Sequence, residues 1–315
     1  MLEFNLIEQY FNWDQAPETV ALSVGDDAAI LNIPNGQQLV TSVDTLISGV
    51  HFPENTPPHA IGHKALAVNL SDIAAMGATP KWFTLALTLT EINQSWLEAF
   101  STGLKSIADE HQCFLIGGDT TRGPLSITIQ VMGLVESGKS LLRSGAKIGD
   151  KIYVTGTLGD AAFGLQNLGN EFCKQRLDYP TPRLPESAFI KNVATSCLDV
   201  SDGLLQDLSH ILKASSAGAE LDLSLLPLSN ELSKIDNEEA MNYALSGGDD
   251  YELLFTIPAD QQKQFHQKHE KIGGVYLNAA QQQFSCIGSI TQEKETITDE
   301  KGNKLISKGY NHFHG

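Results

Sequence analysis

The residues of greatest chemical potential in this chain are aspartates set beside or within two residues of Gly, Ser or Thr: Asp26 and Asp27, Asp44, Asp72, Asp119, Asp199 and Asp202, and Asp249 and Asp250. They fall at the ends of strand-like runs or the starts of helical ones, positions that can converge at one end of a sheet. Short carboxylates suit Mg2+, which keeps several waters and is held by a few carboxylates together with substrate phosphates. Brought together without a cation, the same groups would repel one another. Each also has a plainer reading, because Asp beside Gly or Ser is often a turn residue or a helix cap; Asp72 after Ser71 and Asp202 before Gly203 both suit capping. The strings around the whole set are longer than capping requires.

Two other patterns carry less. Residues 133–140, GLVESGKS, satisfy G-x-x-x-x-G-K-[ST] and follow a strand-like run, SITIQVM. A phosphate loop needs a helix after Ser140 whose N-terminal amides face the phosphates, but the continuation LLRSGAKIGD contains Gly145 and Gly149. The segment therefore reads as a polar turn that leaves Lys139 in solvent. His59 and His63 have the i, i+4 spacing of a metal pair, but the glutamate of H-E-x-x-H is missing.

These residues must be positioned by elements that alternate between strand and helix. LVTSV at 39–43, a helix from about Pro58 to Met76, FTLALTL at 83–89 and a helix to about Glu110 are followed by FLIGG and SITIQVMGLV. After a polar, Gly-rich stretch come KIYVTG, a helix from about Asp160, LDVSD, a helix from about Leu204 and YELLFTI. This is a mixed α/β pattern, and 315 residues suggest about two domains, placed at 1–140 and 141–315. Gly-Gly-Asp at 117–119 and again at 247–249 hints at two related units.

Lys plus Arg is 21 and Asp plus Glu is 38, a net charge of −17 that argues against nucleic acid or an anionic membrane surface as partner. The N-terminal MLEFNLIEQYFNW reads as an amphipathic helix and not a secretion signal. Four scattered cysteines without a C-x-x-C pair fit reduced thiols, so the expected location is the cytoplasm.

Seven ordered strings together resemble the thiamine-monophosphate kinase family: GDDAAI at 25–30, VTSVDTLISGVHF at 40–52, KALAVNLSDIAAMGATP at 64–80, GGDTTRG at 117–123, RSGAKIGD at 143–150, DVSDGL at 199–204 and GGDDYEL at 247–253. KGYNHF near the C-terminus extends the resemblance almost end to end. It implies the two-domain α/β fold shared with aminoimidazole ribonucleotide synthetase, with mixed sheets and flanking helices in each half. It also implies a homodimer formed through the N-terminal halves, which would bind metal and ATP, while the C-terminal half would complete the ATP and substrate site.

By this similarity Asp27, Asp44, Asp72, Asp119, Asp199 and Asp202 are ligands of several Mg2+ ions, with Ser42 and the backbone at Val43 completing the shell. Gly118, Asp119, Arg143 and Ser201 are ATP contacts, the arginine fork suiting phosphate oxygens. His51, Asp249 and Phe313 correspond to contacts of thiamine monophosphate; Asp249 stands where the family carries Glu in GGEDYEL, one methylene longer.

The implied reaction is in-line attack of the substrate phosphate on the γ-phosphorus of ATP. A phosphate monoester is largely ionised near neutral pH, its second pKa being about 6, so no general base is assigned among these residues. Positioning and charge neutralisation dominate such a transfer. The alternatives are another ATP-dependent enzyme of the same superfamily, or a non-catalytic divalent-cation or nucleotide-binding protein. A selenophosphate synthetase would want a reactive Cys near the N-terminus, where the first here is Cys113, and no calcium loop D-x-[DN]-x-[DN]-G-x5-E is present.

Overall fold

A computed structural model describes residues 3–13, 17–24, 27–271 and 284–306. The chain divides into two units, one of Met1–Ile73 with Ala78–Ser140 and one of Ala74–Gly77 with Leu141–Gly315.

The first unit opens with α1 (Glu3–Tyr10) and a small antiparallel ribbon of β1 (Val20–Leu22) and β2 (Ile30–Leu31). Alternating polarity along QQLVTSVDTLI makes β3 (Gln37–Ile47), which leads to α2 (Pro58–Ala75), β4 (Thr79–Leu89), α3 (Gln94–Glu110), β5 (Phe114–Arg122) and β6 (Ser126–Glu136). The sheet order is β3-β6-β4-β5, with β4 and β5 parallel and the other pairs antiparallel. Helix α3 starts where the Asn93 side chain accepts from the Trp96 amide, and it buries Leu97, Phe100, Leu104 and Ile107 on one face. Helices α2 and α3 cross at two glycines. A Cβ on Gly62 would lie 2.2 Å from the Phe100 carbonyl oxygen, and one on Gly103 would lie 2.0 Å from that of His59.

In the second unit β7 (Lys151–Thr155), α4 (Asp160–Gln166), α5 (Glu171–Asp178), α6 (Leu184–Ile190), β8 (Ser196–Val200), α7 (Leu204–Ser215) and β9 (Gly218–Leu221) precede α8 (Asn237–Ser246), β10 (Glu252–Ile257), α9 (Gln262–Lys271), β11 (Phe284–Thr291) and β12 (Ile297–Asp299). They build a six-stranded sheet of order β12-β9-β11-β7-β10-β8. Central β7 is buried on both faces: Ile152 and Val154 join the aliphatic core with Leu198, Leu208 and Leu254, while Tyr153 enters an aromatic cluster with Phe255, Phe265 and Phe284.

The turn reading of GLVESGKS holds for its second half, SGKS, while GLVE is the end of β6. Strand β6 ends at Glu136, Ser137 and Gly138 turn back onto Gly36 and Gln38, and no helix begins before Asp160 among the described residues. Lys139 is exposed. The two Gly-Gly-Asp strings sit in different surroundings, one inside β5 and the other in the loop before β10.

Candidate functional site

In the first unit Asp44, Asp72 and Asp119 lie within elements, not at strand ends or helix starts. β3 alternates faces, so Ser42, Asp44 and buried Leu46 share one side, while Val43, 59% exposed, faces the other. Asp72 lies near the end of α2 as a helical residue and not as an N-cap, and it accepts a 2.5 Å hydrogen bond from the Ser42 hydroxyl. Burial pushes the Asp44 carboxyl up to about 6, and the neighbouring Asp72 carboxylate adds to the rise. The structure thus brings Ser42, Asp44 and Asp72 together as an acidic, oxygen-only group that favours a proton or a cation. Asp27 is exposed between β1 and β2, and Asp26 lies outside the described residues.

Asp119 is not part of that group. Register places Asp44 level with buried Ile129 and Leu85, whereas Asp119 is level with Ala86, Thr128 and Thr45 on the open face. Three strand spacings of about 4.8 Å separate β3 from β5, about 14 Å in all, far beyond the roughly 2.1 Å reach of ligands sharing one Mg2+. Gly118, beside it, is required by close approach: a Cβ there would lie 1.9 Å from the Leu85 carbonyl oxygen. Among the described residues no group of three or more His, Cys, Asp or Glu side chains is placed to hold a metal ion by itself.

After β3 the chain turns at Ser48–Val50, and the Ile47 amide donates to His51 Nδ1 at 3.0 Å. That contact makes Nε2 the protonated nitrogen of the neutral imidazole, a donor suited to a phosphate oxygen. His59 and His63 lie on α2.

The second unit gathers a separate set around β8. Asp199 is buried in β8, paired with Leu253 of β10. The loop that follows is fixed by Asp207, whose Oδ2 accepts from the amides of Ser201 and Asp202 at 3.0 Å each. Burial pushes Asp207 up to about 7 against the lowering pull of those backbone donors. Asp202 takes no capping role; its carboxylate accepts from Gln206 Nε2 at 3.0 Å, and Gly203 is the N-cap of α7.

The GGDDYEL string runs alongside. The Asp249 amide donates to the Ser201 carbonyl at 2.9 Å and the Tyr251 amide to the Val200 carbonyl at 2.8 Å. Below it, Asp250 accepts from the Gly159 amide at the start of α4, and burial holds its carboxyl well above the ordinary range. Glu252, fully buried, is gripped by Arg176 at 2.6 Å, by Arg183 at 2.6 and 2.5 Å, and by the Thr155 hydroxyl at 2.5 Å. Burial raises the Glu252 carboxyl, but the two arginines outweigh it and the net shift is downward.

Exposed Arg143 belongs to a loop held by Ser215, whose hydroxyl accepts from the Gly145 and Ala146 amides at 3.2 Å, and by Asp150, which accepts from the Lys147 amide at 2.9 Å. His210 lies between groups already named: burial lowers its pKa, Arg143 and Lys213 push the same way, and Asp202 opposes them. Sequence reasoning passed over Asp207 and His210; the only sequence signal is their position three and six residues into α7, on the heels of DVSDGL. Phe313 lies outside the described residues.

Comparison with known proteins fits both units. Residues 25–135 match the family model for AIR synthase related protein, N-terminal domain, and residues 147–297 match that for its C-terminal domain. The chain is 46% identical over 326 residues to the thiamine-monophosphate kinase of Escherichia coli (strain K12), covering 99% of this chain and 98% of the relative. The chain belongs to the thiamine-monophosphate kinase family.

Solved members of the thiamine-monophosphate kinase family share the fold. The crystal structure from Stenotrophomonas maltophilia K279a is 43% identical, with a TM-score of 0.83 over 91% of this chain and 93% of that one. A structure described as AaThiL complexed with AMPPCP and TMP is 32% identical, with a TM-score of 0.77 over 92% of each chain. The mixed α/β architecture expected from the kinase strings is therefore observed, and no described helix is long and apolar enough to cross a membrane.

Proposed function

We propose that this chain catalyses Mg2+-dependent transfer of the γ-phosphate of ATP to thiamine monophosphate, giving thiamine diphosphate and ADP. The observation that carries the kinase assignment is full-length identity of 46% to a thiamine-monophosphate kinase. Ser42, Asp44 and Asp72 give it a physical basis, because the Asp72 carboxylate beside Asp44 disfavours its charged form, a divalent cation relieves that repulsion, and the donors are all hard oxygens. With only two carboxylates in that group, a Mg2+ held there would leave its other positions to water and substrate phosphate. Asp27 and the backbone at Val43 are assigned to the same role, and Asp119, Asp199 and Asp202 to further ions. Bound Mg2+ supplies charge neutralisation for the phosphates.

The chain's own residues bind and orient. Gly118, Asp119 and Ser201 contact the nucleotide, and Arg143 offers its fork of donors to phosphate oxygens. His51, through Nε2–H, and Asp249 contact thiamine monophosphate, with Phe313 against its organic rings. No side chain is needed to deprotonate the nucleophile, whose second pKa is about 6. Alignment of two anions and neutralisation of their charge do the catalysis.

The protein acts as a homodimer through its first unit. Support comes from the long edge strand β3 and the open face that carries Val43 at 59% and Ile47 at 40% exposure. Four free cysteines support a reducing compartment, the cytoplasm.

The test is turnover against Mg2+ concentration for the wild type and for Asp44→Asn. Thiamine diphosphate should form only with metal, and Asp44→Asn should lose most turnover while melting no lower than the wild type. Near-normal turnover in the variant would contradict the metal assignment, and ATP consumption without thiamine diphosphate would contradict the acceptor.

A further inference from the structure

Within GGDDYEL the side chains divide between two surroundings. Asp250 and Glu252 are buried, one on the amides that open α4 and the other on Arg176 and Arg183. Asp249 and Tyr251 are only partly buried, and the Tyr251 hydroxyl donates to Asp249 Oδ1 at 3.0 Å. Both have left-handed backbones, Asp249 at φ 69° and Tyr251 at φ 51°. Such conformations are uncommon for residues other than Gly and most of all for a bulky aromatic, and surrounding structure must enforce them. Here the enforcing contacts are the amide hydrogen bonds to Ser201 and Val200 on one side and the buried carboxylates on the other.

We infer that Tyr251 is a positioning residue that locks the Asp249 carboxylate in the orientation needed to meet the organic, amine-bearing cation of the phosphoryl acceptor. An aspartate carboxylate on a strained backbone can turn about its side-chain bonds, and a phenol donor on one oxygen arrests that rotation. The inference rests on Asp249 being an acceptor contact, as proposed above. It adds a second residue that never touches substrate and acts only through the first.

The experiment is a double-mutant cycle with steady-state kinetics in both substrates, on Tyr251→Phe, Asp249→Ala and the double variant. Loss of one hydrogen bond to a charged group predicts a rise of about tenfold in KM for thiamine monophosphate in Tyr251→Phe. KM for ATP, the Mg2+ requirement and the melting temperature should stay at wild-type values. Asp249→Ala should raise the same KM at least as far, and adding Tyr251→Phe to it should change nothing more. Full additivity in the double variant, or a wild-type KM in Tyr251→Phe while Asp249→Ala is impaired, would overturn the role of Tyr251. A rise in both KM values together with a lower melting temperature would mark Tyr251 as merely structural and overturn it too. A wild-type KM in Asp249→Ala would instead overturn the acceptor assignment, and the inference with it.

Discussion

Replacing Asp72 by Asn should move stability and activity in opposite directions. The Asp44 carboxyl stands at about 6 and not at its ordinary 3.8, a difference of about 3 kcal/mol between its two protonation states. Asp44 keeps some solvent contact, and screening reduces the folded-state penalty to about 2 kcal/mol. Burial is the larger cause and Asp72 the smaller, so the Asp72 charge accounts for about 1 kcal/mol or less. Because the folded value is raised, the penalty is absent below pH 3.8, grows as Asp44 ionises and is complete above about pH 6. Asp72→Asn retains an oxygen to accept from Ser42, so metal-free variant protein should melt above wild type at pH 8, by at most about 4 °C, and level with it at pH 3.5. Calorimetry in EDTA at the two pH values, beside Mg2+-dependent turnover, is the assay. A variant less stable than wild type at pH 8 without metal, or one with near-normal turnover, would refute the reading of this pair as an ion site.

Two further outcomes are expected. Lys139→Ala should leave KM for ATP unchanged in steady-state kinetics, since Lys139 is exposed in a turn and the next helix begins only at Asp160. Glu252→Gln should cost about 3 kcal/mol or more, seen as a lower denaturation midpoint, because Arg176 and Arg183 would remain buried without their carboxylate.

The alternation in LVTSVDTL and the apolar runs of KIYVT and ELLFTI carry the strands, because period-2 burial is written directly into residue type. Where Asp44 and Asp119 would sit was harder to read. Both lie inside long strands, since β3 and β5 keep their backbone pairing past polar residues that face an open side. Asp72 looked like a cap for the same local reason, but α2 runs on three residues beyond it. The support of the second unit's loops was not legible, because it depends on distance in space. Arg176 and Arg183 precede Glu252 by 76 and 69 residues, and Asp207 acts through backbone amides that no sequence pattern displays. The left-handed backbones of Asp249 and Tyr251 are likewise tertiary facts, imposed on residue types that do not prefer them.

The central claim is direct transfer between two phosphates, and the measurement that meets it most directly follows a label from the γ-phosphate of ATP in a single turnover with thiamine monophosphate and Mg2+. Label is expected in thiamine diphosphate, one for each ADP, with none on the protein at any time. Label released as inorganic phosphate, or trapped on the protein before thiamine diphosphate forms, would contradict it.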